Sequence, residues 1–294
     1  MQIPPNPPLE KGGTTRNCRE SPPLKKGDLG GFENLQGERI YGKCYKSLDN
    51  YLRRHRRAAL LFSGGLDSSL LLAAAAKALG PGLTAITFTG PHTVPGELAA
   101  AWALARRFRV DHVVREIDPL TLPEFRHNRR ERCYACKRAI IIQAWEIAAA
   151  RGHSGLWDGT NLDDLSDFRP GLVALREQGV ESPLLAARLG KAAIRALSRS
   201  LGLGDARPSQ SCLATRFPYD TELTREALAR VGRGEAWLRR RGFSRLRLRV
   251  RGDQVRLELA IEEWPAFLAP EVRGPFSALL AALGFGELSL GEAG

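Results

Sequence analysis

The stretch "LFSGGLDSS" runs from Leu61 to Ser69, and its reading decides the fold. It overlaps "AALLFS" (58–63), a short apolar run of the kind a buried strand shows. Gly64 and Gly65 turn the chain, and an Ala/Leu-rich helix is expected from about Asp67 to Leu79, stopped by Gly80-Pro81. A strand that ends in a small-residue turn and opens a helix points several backbone N–H groups at one place. The helix dipole adds positive potential there. Ser63, Gly64, Gly65, Ser68 and Ser69 therefore read as a phosphate cradle, with Asp67 able to hold Mg2+ beside it. The G-x-x-x-x-G-K-[ST] spacing of a Walker loop is absent. A glycine turn with a Ser/Asp helix cap is the plainer alternative.

Outward from this stretch, strand and helix alternate. Strands are expected at 83–89, 111–117 and 155–160, and helices at 97–108, 131–150 and 191–201. That alternation predicts an α/β fold, a parallel sheet with helices on both faces, with ligands at the carboxyl ends of the strands. After Pro218 the pattern changes. A basic helix (222–241) is followed by two strands (245–250 and 254–260) joined at Gly252-Asp253, a hairpin signal. This reads as a smaller α+β domain over 219–294, after a first domain over 45–218. Residues 1–36 carry the near-repeats "NPPLEKGG" and "SPPLKKGD" and have few large apolar residues, so disorder is expected there.

The chain of 294 residues has a formal net charge of +12. No apolar run is long enough for a membrane helix and no secretory core is present, which points to the cytoplasm and away from a membrane. Between Arg225 and Arg256 there are eleven arginines and three acids, either a footprint for phosphate-bearing partners or a solvated arginine-rich face. Five cysteines occur, at 18, 44, 133, 136 and 212. In a reducing compartment a C-x-x-C pair plus a distant cysteine suggests metal binding or catalysis rather than disulfides. Cys18 falls in the repeat segment and Cys44 precedes the first expected helix, so neither is read as functional.

Three further stretches carry polar chemistry. "WDGTNLDDLSDFRPGLVALRE" (157–177) closes the fourth strand. Gly159, Thr160, Asn161, Asp163 and Asp164 there suit Mg2+ and phosphate handling, although an Asx turn with a solvated acidic loop would look the same. Lys191 opens a helix, where it can reach a pyrophosphate or simply face solvent. "RPSQSCLATRFPYD" (207–220) sets Cys212 between Arg207 and Arg216, cations that would lower a thiol pKa.

Taken together, "FSGGLDSS", "ERCYACK", "DGTNLDDLSDFRPGL", "SPL", "GKAAIRALSRSLGL", "PSQSCLATRFPYDTELT" and "RLRVRGDQVRLEL" resemble one family over roughly residues 45–260. It is the ATP-dependent sulfur transferases (LarE) of nickel-pincer nucleotide synthesis, within the N-type ATP pyrophosphatases. The resemblance implies a Rossmann-like PP-loop domain using ATP and Mg2+. Its substrate is a small-molecule nucleotide, pyridinium-3,5-biscarboxylate mononucleotide, whose carboxylates become thiocarboxylates. Cys212 falls on the family's sulfur-donating cysteine, with Arg216 beside it as a catalytic partner. Arg247, Arg249, Arg256, Glu258 and Glu235 match positions that hold the substrate. In some members the cysteine is consumed, leaving dehydroalanine. In others three cysteines hold a [4Fe–4S] cluster carrying an extra sulfide, and here those would be Cys133, Cys136 and Cys212. A C-x-x-C pair without metal is the alternative for Cys133 and Cys136. The family also implies a homo-oligomer.

The rivals are a tRNA-thiolating pyrophosphatase, an iron–sulfur protein with a vestigial ATP site, and a glutamine-fed amidotransferase. Against the first stand the lack of a second C-x-x-C pair and of a recognisable RNA-binding module, so no nucleic-acid partner is expected. Against the third stands the lack of a glutaminase domain.

Overall fold

Ala58, Ala59, Leu60 and Leu61 are all buried, as a strand covered on both faces must be. In the computed structural model, which describes residues 35–166, 170–203 and 210–292, they form β1 (Ala58–Leu61). It follows α1 (Leu35–Leu52) and leads to α2 (Leu66–Leu79), β2 (Leu83–Thr89), α3 (Glu97–Arg107) and β3 (Asp111–Glu116). Then come α4 (Pro123–Arg126), α5 (Arg132–Ala150), β4 (Leu156–Trp157), α6 (Pro170–Glu177), α7 (Pro183–Ala186) and α8 (Lys191–Ser200). The remainder is α9 (Arg225–Arg239), β5 (Leu246–Arg251), β6 (Gln254–Leu259), α10 (Trp264–Leu268), α11 (Pro270–Ala282) and β7 (Leu288–Glu292).

The first four strands form one parallel sheet in the order β3-β2-β1-β4. Side chains on β1 alternate between two cores. Ala58 and Leu60 join α1, α2 and α8, while Ala59 and Leu61 join α5 and α6. Helices thus cover both faces. The order runs outward from β1 to β3 and then returns to β4 on the other side of β1. The switch point therefore lies between β1 and β4, where an open sheet leaves a crevice for ligand.

The second sheet has the order β5-β6-β7, with β5 antiparallel and β7 parallel to β6. The turn between β5 and β6 is Gly252-Asp253, and Gly252 has φ +63°, which glycine adopts without strain. Its core contains Leu228, Val231 and Leu238 of α9, the inward residues of the strands, and Phe267, Phe276 and Leu280. Val94 and Leu213 from outside this unit pack into the same core, so the turn after Cys212 is anchored on it.

Several expectations needed correction. Cys44 lies inside α1 rather than before the first helix, and it is disulfide-bonded, against the expectation of no disulfides. The fourth strand keeps ladder pairing only at Leu156–Trp157, and α9 starts at Arg225, with Leu228 on its buried stripe. Strand β7 was not anticipated. The repeats at 6–28, Cys18, Arg169 and Arg207 lie outside the described residues.

Candidate active site

The turn after β1 is built from close contacts. Gly64 has φ +74°, and a Cβ there would sit 3.2 Å from the backbone N of Ala101. Gly65 is the N-cap of α2 and supplies no side chain to its first-turn N–H groups. Those donors remain available to an anion at the positive end of a 14-residue helix. Ser63 Oγ lies 3.1 Å from Ser68 Oγ and accepts from Gly65 N at 3.3 Å, so the hydroxyls hold the turn as they line it. Ser69 is buried, and among the described residues its Oγ has no partner.

The loop after β4 closes on this turn. A Cβ on Gly159 would stand 3.0 Å from Ser68 N, so only glycine lets the two loops meet this closely. Thr160 Oγ1 donates to Asp158 Oδ2 at 2.5 Å, and Ser182 Oγ donates to Asp158 Oδ1 at 2.5 Å. Asn161 is fully buried, and its N donates to Asp164 Oδ2 at 3.1 Å. Asp163 Oδ2 accepts from Lys191 N at 2.5 Å. Lys191 Nζ reaches Asp67 Oδ2 at 3.0 Å and Asp164 Oδ1 at 3.8 Å. Burial raises the Asp67 pKa, and Lys191 only partly opposes it. Among the described residues Asp67 Oδ1 is buried without a hydrogen-bond partner, although the Asn161 amide is near enough to lower its pKa. An orphaned carboxylate oxygen beside a second carboxylate is the hard-oxygen donor set that Mg2+ takes, so these residues fit the ion.

Two cavities adjoin here. The larger, about 800 Å3, is lined by Asp67, Ser68, Asp158, Gly159, Thr160 and Asp164. The smaller, about 350 Å3, is lined among others by Gly64, His92, Glu97, Arg132 and Cys136. Ser63, Gly65, Cys133, Lys137 and Cys212 line both. The three cysteines therefore converge, from the first turns of α5 and from the turn at 211–216. Among the described residues no group of three or more His, Cys, Asp or Glu side chains is arranged to hold a metal ion. The donor set itself, three soft sulfurs around one cavity, is the chemistry an iron–sulfur cluster takes.

Burial outweighs any arginine effect on Cys212: Arg132 lowers its pKa, and Arg207 lies outside the described residues. Burial pushes the thiol up to about 12, with Cys136 and Cys133 acting in the same direction. Cys136 is likewise raised to about 11 by burial. Arg216 does not face the sulfur. Its side chain and that of Glu235 are both 0% exposed, with Nε to Oε1 at 2.7 Å and Nη2 to Oε2 at 3.1 Å. Its Nη1 donates to Ser211 O, Ser211 Oγ and Thr215 Oγ1 at 2.7–2.9 Å. Arg216 is thus the internal brace of the Cys212 turn. Glu235, expected at the substrate, is buried among Arg216, Arg239 at 3.0 Å and the Leu248 N–H at 3.0 Å.

Two further clamps hold that turn. Asn128, fully buried at φ +50°, donates to Phe217 O at 3.2 Å and Pro218 O at 2.6 Å, tying the turn to the segment that enters α5. Arg249 Nη1 donates to Thr215 O at 2.6 Å while its Nε meets Glu258 Oε2 at 3.0 Å. Register places Arg247 opposite Glu258 and Arg249 opposite Arg256, all on one face of the second sheet. Arginines directly opposite each other repel, which favours an anion on that face.

A family model for asparagine synthase matches residues 42–140. The chain is 37% identical over 231 residues to an uncharacterized protein of Synechocystis sp., covering 78% of this chain and 86% of the relative. It is 34% identical over 210 residues to pyridinium-3,5-bisthiocarboxylic acid mononucleotide synthase of Lactiplantibacillus plantarum, covering 71% of this chain and 76% of that enzyme. The chain belongs to that synthase family. A solved structure, NMN synthetase from Francisella tularensis, aligns with a TM-score of 0.47 at 18% identity, over 57% of this chain and 75% of that one.

As a member of the synthase family the chain is an ATP-dependent sulfurtransferase. Some residues at its cavities escaped the sequence reading. Asp158 immediately precedes the Gly159 turn, and its place at a strand end was the signal for it. Arg132 carries a signal too, since an arginine in the first turn of a helix opposes the dipole. Glu97 gave none, and neither did Asn128, which clamps the Cys212 turn without lining either cavity.

Proposed function

We propose that the enzyme adenylates a carboxylate of pyridinium-3,5-biscarboxylic acid mononucleotide and converts it to a thiocarboxylate for nickel-pincer nucleotide synthesis. The observation that carries this reading is the shared wall. Cys133 and Cys212 line both the cavity that contains the phosphate cradle and its smaller neighbour. An acyl group activated at the cradle is therefore presented to sulfur without leaving the site.

The residues divide the work. Ser63, Gly64, Gly65, Ser68 and Ser69 hold the β- and γ-phosphates, with Gly159, Thr160, Asn161 and Asp163 closing over them. Asp67 and Asp164 hold Mg2+, and Lys191 stabilises the departing pyrophosphate. A substrate carboxylate oxygen attacks the α-phosphorus and pyrophosphate leaves. A sulfur nucleophile then adds to the acyl carbon, and AMP leaves with the C–O electron pair. Arg247 and Arg256 bind the substrate phosphate, with Arg249 and Glu258 fixing their face. Cys133, Cys136 and Cys212 would hold a [4Fe–4S] cluster, which supplies a sulfide for transfer. The enzyme works in the cytoplasm as a homo-oligomer.

A second reading makes Cys212 itself the donor, spent after one turnover. It is favoured by the place of Cys212 in the wall shared by both cavities, beside Ser63 and Gly65. The test is to purify the protein anaerobically, reconstitute it, and measure iron, zinc, acid-labile sulfide and thiolated product for wild type and Cys212→Ala. Iron and sulfide lost in the variant, with repeated turnover in wild type, support the cluster. Metal-free protein that thiolates once supports Cys212 as donor. ATP cleaved to AMP without any carboxylate substrate overturns both.

A further inference from the structure

Arg132 is 6% exposed, yet among the described residues no carboxylate lies within ion-pair distance of it. Its Nη1 donates one long hydrogen bond to Arg129 O at 3.3 Å, and its guanidinium stands 4.6 Å from the centre of the Tyr219 ring. It lines the smaller cavity with Lys137 and all three cysteines. A buried charge without a counter-ion is costly. This one also opens a 19-residue helix, at the end where the dipole disfavours a cation. One anion in the cavity would reverse both penalties at once, because it meets the guanidinium and the positive helix end together.

We infer that Arg132 is an anion anchor, holding a carboxylate or similarly small anion against the N-terminus of α5 beside the cysteines. Resting on the proposed function, the anion is the ring carboxylate of the pyridine dicarboxylate that is not being activated, or else the hydrosulfide that replenishes sulfur. Both present the same chemistry, one negative charge on a small head. The guanidinium fork favours the carboxylate.

The test is calorimetric titration of the reduced full-length protein with pyridine-3,5-dicarboxylate, sodium hydrosulfide and nicotinamide, for wild type, Arg132→Gln and Arg132→Lys. A non-hydrolysable ATP analogue is titrated in parallel. Arg132→Gln should weaken dicarboxylate binding at least about tenfold, and Arg132→Lys should weaken it less. Nicotinamide, a ring without the acid, should not distinguish the variants, and analogue affinity should stay unchanged. Hydrosulfide binding that depends on Arg132 when dicarboxylate binding does not would keep the anchor and assign it to the sulfur source. Equal dicarboxylate and hydrosulfide binding by wild type and Arg132→Gln overturns the inference. So does parallel loss of the ATP analogue, which would make Arg132 a support of the fold, or a wild type that takes up neither anion. Wild type that binds dicarboxylate through Arg132 but never thiolates the nucleotide refutes the proposed function and leaves the anchor standing.

Discussion

Arg216→Met separates a brace from a catalyst. The substitution removes both nitrogens that meet the fully buried Glu235 and the three donations that shape the turn at 211–215. Breaking a buried pair by deleting one partner costs about 3–5 kcal/mol. Arg239, 3.0 Å from Glu235, remains and offsets part of this, which places the expected loss near the lower bound. With a urea m-value of about 2 kcal/mol per molar, a loss of about 3 kcal/mol lowers the midpoint by about 1.5 M. Trp237 and Trp264 pack on the second core, so their fluorescence reports its unfolding. The cycle with Glu235→Leu should show coupling above about 1 kcal/mol, since the double variant no longer buries an unpaired carboxylate. Arg216→Lys should recover little, because an ammonium cannot replace the fork. An Arg216→Met protein as stable as wild type but unable to transfer sulfur would refute the reasoning and put Arg216 at the reacting atoms.

Buried Glu235 and half-buried Glu97 should respond to pH with opposite signs. Glu235 titrates below its ordinary 4.5 in the folded chain, chiefly through Arg216, against the pull of burial. Its contribution is full above the unfolded pKa and is lost as pH falls through the folded value, so acid should melt the second core first, read by the same fluorescence. Glu97 is raised by burial from 4.5 to about 7, so its ionisation destabilises the fold progressively as pH rises between those values. Glu97→Gln should therefore stabilise the protein by about 2–3 kcal/mol at pH 8 and by nothing at pH 4, and an equal gain at both would count against a buried acid. Gly159→Ala places a methyl 3.0 Å from Ser68 N and should weaken ATP binding about tenfold or more while leaving the melting temperature close to wild type. Unchanged ATP affinity would mean that the two loops do not meet around the nucleotide.

The first sheet was legible because its signals are local. An unbroken apolar β1, a glycine turn and an Ala/Leu helix lie within 22 residues, 58–79, and each element is where that pattern puts it. Strand β7 was hidden because five residues, one of them Gly291, show too little alternation, and β6 supplies the pairing that makes it a strand. The surroundings of Cys212 were hidden for a related reason. Chain proximity suggested Arg216, four residues away, but a side chain turns toward its strongest partner, and that partner is Glu235, on α9. Arg132, 80 positions earlier, and Arg239, on α9, are guanidinium groups that share the smaller cavity with the thiol. The cysteines themselves were legible by spacing, whereas the burial of Cys136 and the half-burial of Cys212 are products of packing, and Cys133 stays exposed.

The order of residues along the chain gives the clamps on the Cys212 turn a meaning in time. Every residue proposed for the nucleotide site, from Ser63 to Lys191, precedes Cys212, while Glu235 and Arg249 follow it. Domains tend to fold from the N-terminus as they leave the ribosome. A nascent chain can therefore close the proposed nucleotide site before the Cys212 turn has anything to brace it. The Cys212 turn is then the last part of the proposed site to be assembled, and its braces from Glu235 and Arg249 exist only once the C-terminal unit has formed.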